Sequence, residues 1–229
     1  MFNRIFLELF PYVAVATLVV VTIYRYFSNR FSFSSLSSQF LEERKLFWGS
    51  IPWHYGIIII LLGHLIGFLI PRQVTAFNGV PIRLFILEAT ALTFGILTLF
   101  GLISLVYRRT ANTRIRAVTS RMDVVILIML LAQVATGVYI ALFDRWGSAW
   151  YVSTAVPYLR SLVKFNPETE LLAALPLMVR LHVINTFAIL AVYPFTRLVH
   201  ITTFPLTYIW RPYQVVIWMR GGRARGTND

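Results

Sequence analysis

Apolar residues in this chain do not alternate with polar ones. They come in five nearly uninterrupted runs, near residues 8–24, 51–71, 84–107, 124–143 and 174–202. Each is long enough to cross about 30 Å of hydrocarbon as an α-helix. A β-barrel is excluded, because its strands alternate and many more of them are needed. In lipid the helix is then the structure that satisfies its own backbone groups. The pattern predicts an all-α integral membrane five-helix bundle, one unit over residues 1–229 with a short tail from 203 to 229. The first run starts beside Glu8 and ends Thr22-Ile23-Tyr24-Arg25-Tyr26 without a small-x-small cleavage site, so it is expected to stay as an anchor.

Composition agrees: 58% of the 229 residues are hydrophobic and 13% charged, with a mean hydropathy of +0.70. The net charge of +12 would suggest nucleic acid in a soluble protein. Here the basic residues flank the apolar runs, where they orient the chain and meet lipid phosphates. Arg25, Arg30, Arg44, Lys45, Arg108, Arg109, Arg114, Arg116, Arg121, Arg211, Arg220, Arg223 and Arg225 fall on one side. Arg4, Arg72, Arg83, Arg145, Arg160 and Lys164 fall on the other, with Arg180 and Arg197 in or at the edge of the fifth run. The positive-inside rule predicts the N-terminus outside and the C-terminus in the cytoplasm. A serine-rich patch spans Ser32 to Ser38. In the loop from Asp144 to Ala173, Trp146, Trp150, Tyr151 and Tyr158 suit a segment lying at the lipid surface.

With no cysteine, the chain has no disulfide, thiolate-bound cluster or covalently attached c-type haem. The four histidines all fall in two runs: His54 and His64 in the second, His182 and His200 in the fifth. Opposite span directions pair His54 with His200 near the inner face and His64 with His182 near the outer. Eighteen residues are five whole helical turns, so His182 and His200 are predicted on one face, and ten residues leave His54 and His64 about 80° apart. The separations differ, about 15 Å on one helix and about 27 Å on the other, so the pairing rests on order across the membrane. Two imidazoles from facing helices suit a bis-histidine haem b, made for electron transfer. A zinc site would gather more ligands, and neither run places a carboxylate beside these histidines.

Gly56, Gly63 and Gly67 would let a flat ring approach the second helix; close helix packing explains them as well. Arg180 and Arg197, beside His182 and His200, would neutralise haem propionates or snorkel to the interface. Arg109, Arg114 and Arg116 complete the cofactor-binding candidates. The tail mixes Phe204, Tyr208, Trp210, Tyr213 and Trp218 with its arginines, as an interface core does.

The sequence resembles the gamma subunit of membrane-bound respiratory nitrate reductases. The matching segments are Leu9-Phe10-Pro11-Tyr12-Val13-Ala14, Ser37-Ser38-Gln39, His54-Tyr55-Gly56, Gly63-His64 and Arg114-Ile115-Arg116-Ala117. Further on they are Arg180-Leu181-His182, Pro194-Phe195-Thr196-Arg197-Leu198-Val199-His200 and Tyr213-Gln214-Val215. The resemblance implies a cytochrome b subunit in a prokaryotic cell membrane with two haems b, His54 and His200 ligating the inner and His64 and His182 the outer. It also implies quinol oxidation near the outer haem, and electrons passed to an iron–sulfur subunit and a molybdenum catalytic subunit on the cytoplasmic face; the composition of the tail leads us to expect that it grips the former. The family's lysine after the second span is absent here, and Arg72 or Arg83 would stand in for it. The alternative is a dihaem conduit and anchor without a quinol site, exchanging electrons with a periplasmic c-type cytochrome, as in a nitrite oxidoreductase-type complex. A transporter using intramembrane histidines is the third class.

Overall fold

The computed structural model describes residues 3–28 and 44–202. The Ser37-Ser38-Gln39 segment, Arg30, the tail arginines and the tail aromatics lie outside the described residues. Among those described there is no strand.

The first membrane helix opens as a π-helical stretch, Arg4–Leu9, and continues as α1, Phe10–Ser28. Pro11 has no N–H to offer the carbonyl four residues back, that of Leu7. The hydroxyl of Tyr158 donates to that carbonyl instead, at 2.8 Å, and both residues are fully buried. The second helix, α2, runs Arg44–Leu69 and stops before Pro71, whose ring disfavours a helical residue ahead of it. Its last carbonyls, at Phe68 and Leu69, accept from Arg160 at 2.6 and 3.3 Å, a cation at the negative end of the helix dipole. A short α3, Pro71–Asn78, leads to α4, Pro81–Ala111, which has proline in its first turn. Asn112 ends α4 and caps α5, Thr113–Ala117. Ser120 and Asp123 form a capping box at the start of α6, Arg121–Phe143.

Next come α7, Gly147–Trp150, a π turn Tyr151–Ala155, α8, Val156–Val163, and α9, Thr169–Ala173. The last membrane helix, α10, is Leu177–Val192, followed by 3₁₀ turns at Tyr193–Phe195 and Arg197–Ile201. Among the described residues five helices are long and apolar enough to cross a membrane, Arg4–Ser28, Leu46–Leu69, Pro81–Ala111, Arg121–Phe143 and Leu177–Phe195, each overlapping one predicted run. The chain is a multi-pass membrane protein.

Neighbouring helices pack in the order α2, α4, α6, α10, α1. The tightest approach is α2 on α4, where a Cβ on Gly101 would collide with the Trp53 backbone nitrogen and stand 2.9 Å from the Gly49 carbonyl. Small residues that let backbones meet replace the hydrophobic drive that lipid does not provide. The histidine-bearing helices α2 and α10 are not packed against each other along their lengths. A buried cluster of Leu7, Ala14, Ile140, Tyr158, Leu162, Leu172, Val179 and Phe187 ties α1, α6, α8, α9 and α10 together.

Two expectations are corrected. The segment between α6 and α10 does not simply lie on lipid: Trp146 is 48% exposed, but Tyr158 is at the centre of the core, because its hydroxyl has the Leu7 carbonyl to satisfy it. Burial pushes the Tyr158 phenol well above its usual pKa, so it stays a neutral donor. The fifth run is not one helix to residue 202. Pro194 interrupts the hydrogen-bond ladder and Thr196 is extended at φ −115°, ψ 175°, so His200 sits on a separate 3₁₀ turn and shares no helical face with His182.

Gly101→Ala should therefore destabilise the chain in detergent by about 1–3 kcal/mol or more, since backbone atoms must part. Gly95→Ala, whose Cβ would meet only a Val138 methyl at 3.3 Å, should cost much less. Thermal unfolding of the two variants side by side checks this.

Candidate functional site

A histidine inside lipid has to satisfy both ring nitrogens without water, and each of the four finds a partner for Nδ1 close by. On α2, His54 Nδ1 lies 2.7 Å from the Ser50 carbonyl and His64 Nδ1 lies 2.9 Å from the Ile60 carbonyl, each four residues back. His200 Nδ1 lies 2.7 Å from the Arg197 carbonyl. A carbonyl only accepts, so in all three Nδ1 carries the proton and the lone pair is at Nε2. His182 reaches the same state by side chains. The Gln133 amide nitrogen donates to its Nε2 at 2.9 Å, and its Nδ1 is 3.0 Å from the Thr136 hydroxyl oxygen. Thr136 donates onward to the Ala132 carbonyl, which leaves that oxygen to accept from Nδ1. In each ring Nδ1 is engaged close by, so Nε2 is the nitrogen through which these histidines would ligate a metal.

The structure brings His54 and His200 together. Their ring centres are 6.4 Å apart with planes at 69°. At this spacing the two imidazoles could hold one metal ion between them. At the other end, the His64 ring meets Tyr151 edge-on at 5.2 Å, and the Tyr151 hydroxyl donates to the His64 carbonyl at 3.0 Å. The Nε2 of His182 is engaged by Gln133 on α6. Two residues before it, the Arg180 Nε is buried with no hydrogen-bond partner among the described residues, an opening for an anionic group. Histidine, aspartate and glutamate do not gather in threes among the described residues, so the arrangement is one of pairs.

The remaining candidates divide. A Cβ on Gly63 would meet nothing within 4 Å, which is room for a flat ligand; Gly56 is pressed on Thr98 and the Phe94 carbonyl of α4, and Gly67 on Tyr151. Of the three glycines, Gly63 alone fits the steric reading. Arg197, expected on a propionate, is held elsewhere. Its Nε pairs with Asp123 Oδ1 at 2.8 Å and its NH2 donates to the Val118 carbonyl at 3.0 Å. Arg109 pairs with Asp123 Oδ2 at 3.2 Å. The reason is charge: a nearly dry carboxylate needs counter-ions more than an exposed propionate does. Arg114 and Arg116 are exposed on α5. Arg72 is exposed on α3, and Arg83 lies over the Phe77 ring, 5.7 Å from its centre.

Sequence reading missed Asp123, Gln133, Thr136 and Tyr151. The Ser120-x-x-Asp123 spacing at the start of the fourth run marked a capping box. Gln133, Thr136 and Gly137, three and four residues apart, marked a polar helix face; a Cβ on Gly137 would stand 3.2 Å from the His182 ring. Nothing local marked Tyr151, whose phenol burial pushes up in pKa and keeps neutral.

The sequence profile of the family described as "Nitrate reductase gamma subunit" matches residues 3–219. The chain is 33% identical over 218 residues to the "Nitrate reductase gamma chain" of Bacillus subtilis, covering 94% of this chain and 98% of that one. It is 32% identical over 218 residues to the "Respiratory nitrate reductase 2 gamma chain" of Escherichia coli, covering 93% and 96%. It also aligns, at 33% identity over 93% of its length, with 33% of the "Nitrate reductase-like protein NarX" of Mycobacterium tuberculosis.

Tyr151→Phe removes one hydrogen bond to the His64 carbonyl and should cost about 1 kcal/mol. Gly67→Ala places a methyl 2.7 Å from the Tyr151 ring and should cost more, because the ring must leave the second helix. Thermal unfolding in detergent ranks the two.

Proposed function

The chain belongs to the nitrate reductase gamma-subunit family, and from that premise we propose that it is the dihaem cytochrome b subunit of a respiratory nitrate reductase. It oxidises quinol on the outer side and delivers the electrons inward to an iron–sulfur subunit and a molybdenum catalytic subunit, where nitrate is reduced. The observation that carries this reading is the 6.4 Å separation of the His54 and His200 rings, with both lone pairs at Nε2.

Haem b, when bound, supplies reversible one-electron oxidation and reduction of its iron. The chain's own residues do the rest. His54 and His200 hold the inner group, and their Nδ1–H bonds to carbonyls fix ring orientation and strengthen Nε2 as a ligand. His64 and His182 would hold the outer group, His182 being the one whose Nε2 meets Gln133. Arg180 Nε, otherwise unpartnered, takes a propionate. Gly63 leaves room beside His64. Arg72 and Arg83, exposed near the same end, are the candidates for quinol recognition.

The N-terminus is placed outside and the C-terminus in the cytoplasm by the arginine bias. Arg114 and Arg116 on α5 then face the iron–sulfur subunit. The conduit reading, with a c-type cytochrome in place of quinol, draws on Arg83 being engaged with the Phe77 ring. Quinol titration of the reduced haems separates the two.

The protein should carry two non-covalent haems b per chain by pyridine haemochrome analysis. His54→Ala and His200→Ala should remove one and the same spectral component, and His64→Ala and His182→Ala the other. A single haem, or His64 and His200 variants losing the same component, would overturn the assignment. Because the chain has no cysteine, orientation is open to single-cysteine labelling. Arg114→Cys should react with an impermeant maleimide only from the cytoplasmic side, and Trp146→Cys only from outside.

A further inference from the structure

We propose that Asp123 is a positioning residue for His200, acting through Arg197, and so helps set the inner-haem ligand geometry and reduction potential. The second half rests on the dihaem reading above. The first half stands on geometry that needs no cofactor.

Asp123 is 3% exposed and lies at the start of α6, on a different membrane helix from all four histidines. Its Oδ1 takes Arg197 Nε at 2.8 Å, and its Oδ2 takes Arg109 NH1 at 3.2 Å and the Ser120 backbone N–H at 2.9 Å. The other branch of Arg197 donates to the Val118 carbonyl at 3.0 Å. The side chain of Arg197 is therefore tied at two points to the connection between α5 and α6. Its main-chain carbonyl accepts the Nδ1–H of His200 at 2.7 Å. A buried carboxylate on one span is joined to a ligating imidazole on another by an ion pair, one residue of backbone and a hydrogen bond.

That chain matters because of how the fifth span ends. The ladder of α10 stops at Val192 and Thr196 is extended, so Arg197–Ile201 is a single 3₁₀ turn without a helix to hold it in place. Thr196 caps it locally, by accepting from the Leu198 N–H. The His200 ring is oriented by the Arg197 carbonyl within the turn, and Asp123 is the charged anchor that fastens Arg197 from outside it. The ion pairs add a sign. Asp123 neutralises guanidinium charge at Arg197 and Arg109, so removing its negative charge leaves the neighbourhood more positive and favours the reduced iron, and the inner-haem potential should rise.

The test uses Asp123→Asn and Asp123→Glu in the full chain. In haem-free protein labelled with ¹⁵N-histidine, Asp123→Asn should lose the single Nδ1–H tautomer at His200, while His54 and His64 keep theirs. In the assembled complex, the inner-haem midpoint potential should rise by about tenfold in the reduced-to-oxidised equilibrium, about 59 mV for one electron, with the outer haem unchanged. Asp123→Glu, which keeps the charge, should recover both signatures in part. A His200 tautomer and inner-haem potential identical to wild type would overturn the proposal. Loss of both haems with disturbance of all four histidines would overturn it too, by making Asp123 a general tie of the bundle. Absence of haem from the wild-type complex would instead sink the dihaem reading, and the tautomer measurement would then decide the positioning claim by itself.

Discussion

Lipid offers no hydrogen bonds, and in this protein that constraint reaches down to which nitrogen of each imidazole carries a proton. His54, His64 and His200 each donate Nδ1–H to a backbone carbonyl three or four residues earlier. The bond satisfies a polar group that would otherwise be costly in hydrocarbon and leaves the lone pair at Nε2, facing away from the parent helix. His182 reaches the same state through Gln133 and Thr136 on the neighbouring span. Satisfying the membrane and preparing a ligand are here one act. The redox chemistry proposed for the chain rests on it.

The same constraint explains how the prolines are used. At three of them, Pro11, Pro71 and Pro194, a side chain from elsewhere in the chain donates to a carbonyl near the interruption. Tyr158 takes the Leu7 carbonyl opposite Pro11, Arg160 takes the carbonyls of Phe68 and Leu69 ahead of Pro71, and Arg25 donates to the carbonyl of Pro194 itself. These are long-range contacts in sequence, and they fasten the α8 segment to α1 and α2 and fasten α1 to the end of α10. Interruptions in the helices become the joints of the bundle.

Charge is handled by the same economy. Asp123 is the buried acid that draws Arg109 and Arg197 away from the roles their positions suggest and joins the third, fourth and fifth spans at one end. At the other end Arg180 keeps an unsatisfied Nε beside His182. Arg197 is held by a carboxylate, whereas the Arg180 Nε meets no hydrogen-bond partner among the described residues.

Much was legible in the sequence because it depends on composition over long windows. Five apolar runs specify five spans, and the absence of cysteine with four histidines in two spans narrows the ligand chemistry. The order of residues along opposed helices brings His54 to His200 even though the helical-face argument for the fifth span fails at Pro194 and Thr196. What only the tertiary structure decided is what each polar group meets across helices. Gly56 packs on α4 while Gly63 faces open space, Tyr158 is core rather than lipid surface, Arg197 belongs to Asp123, and Gln133 holds His182. The physical reason is that burial in lipid requires a partner for every polar atom without specifying which one. Apolar length is read along a single helix, whereas the partner is chosen by which helix face lies opposite.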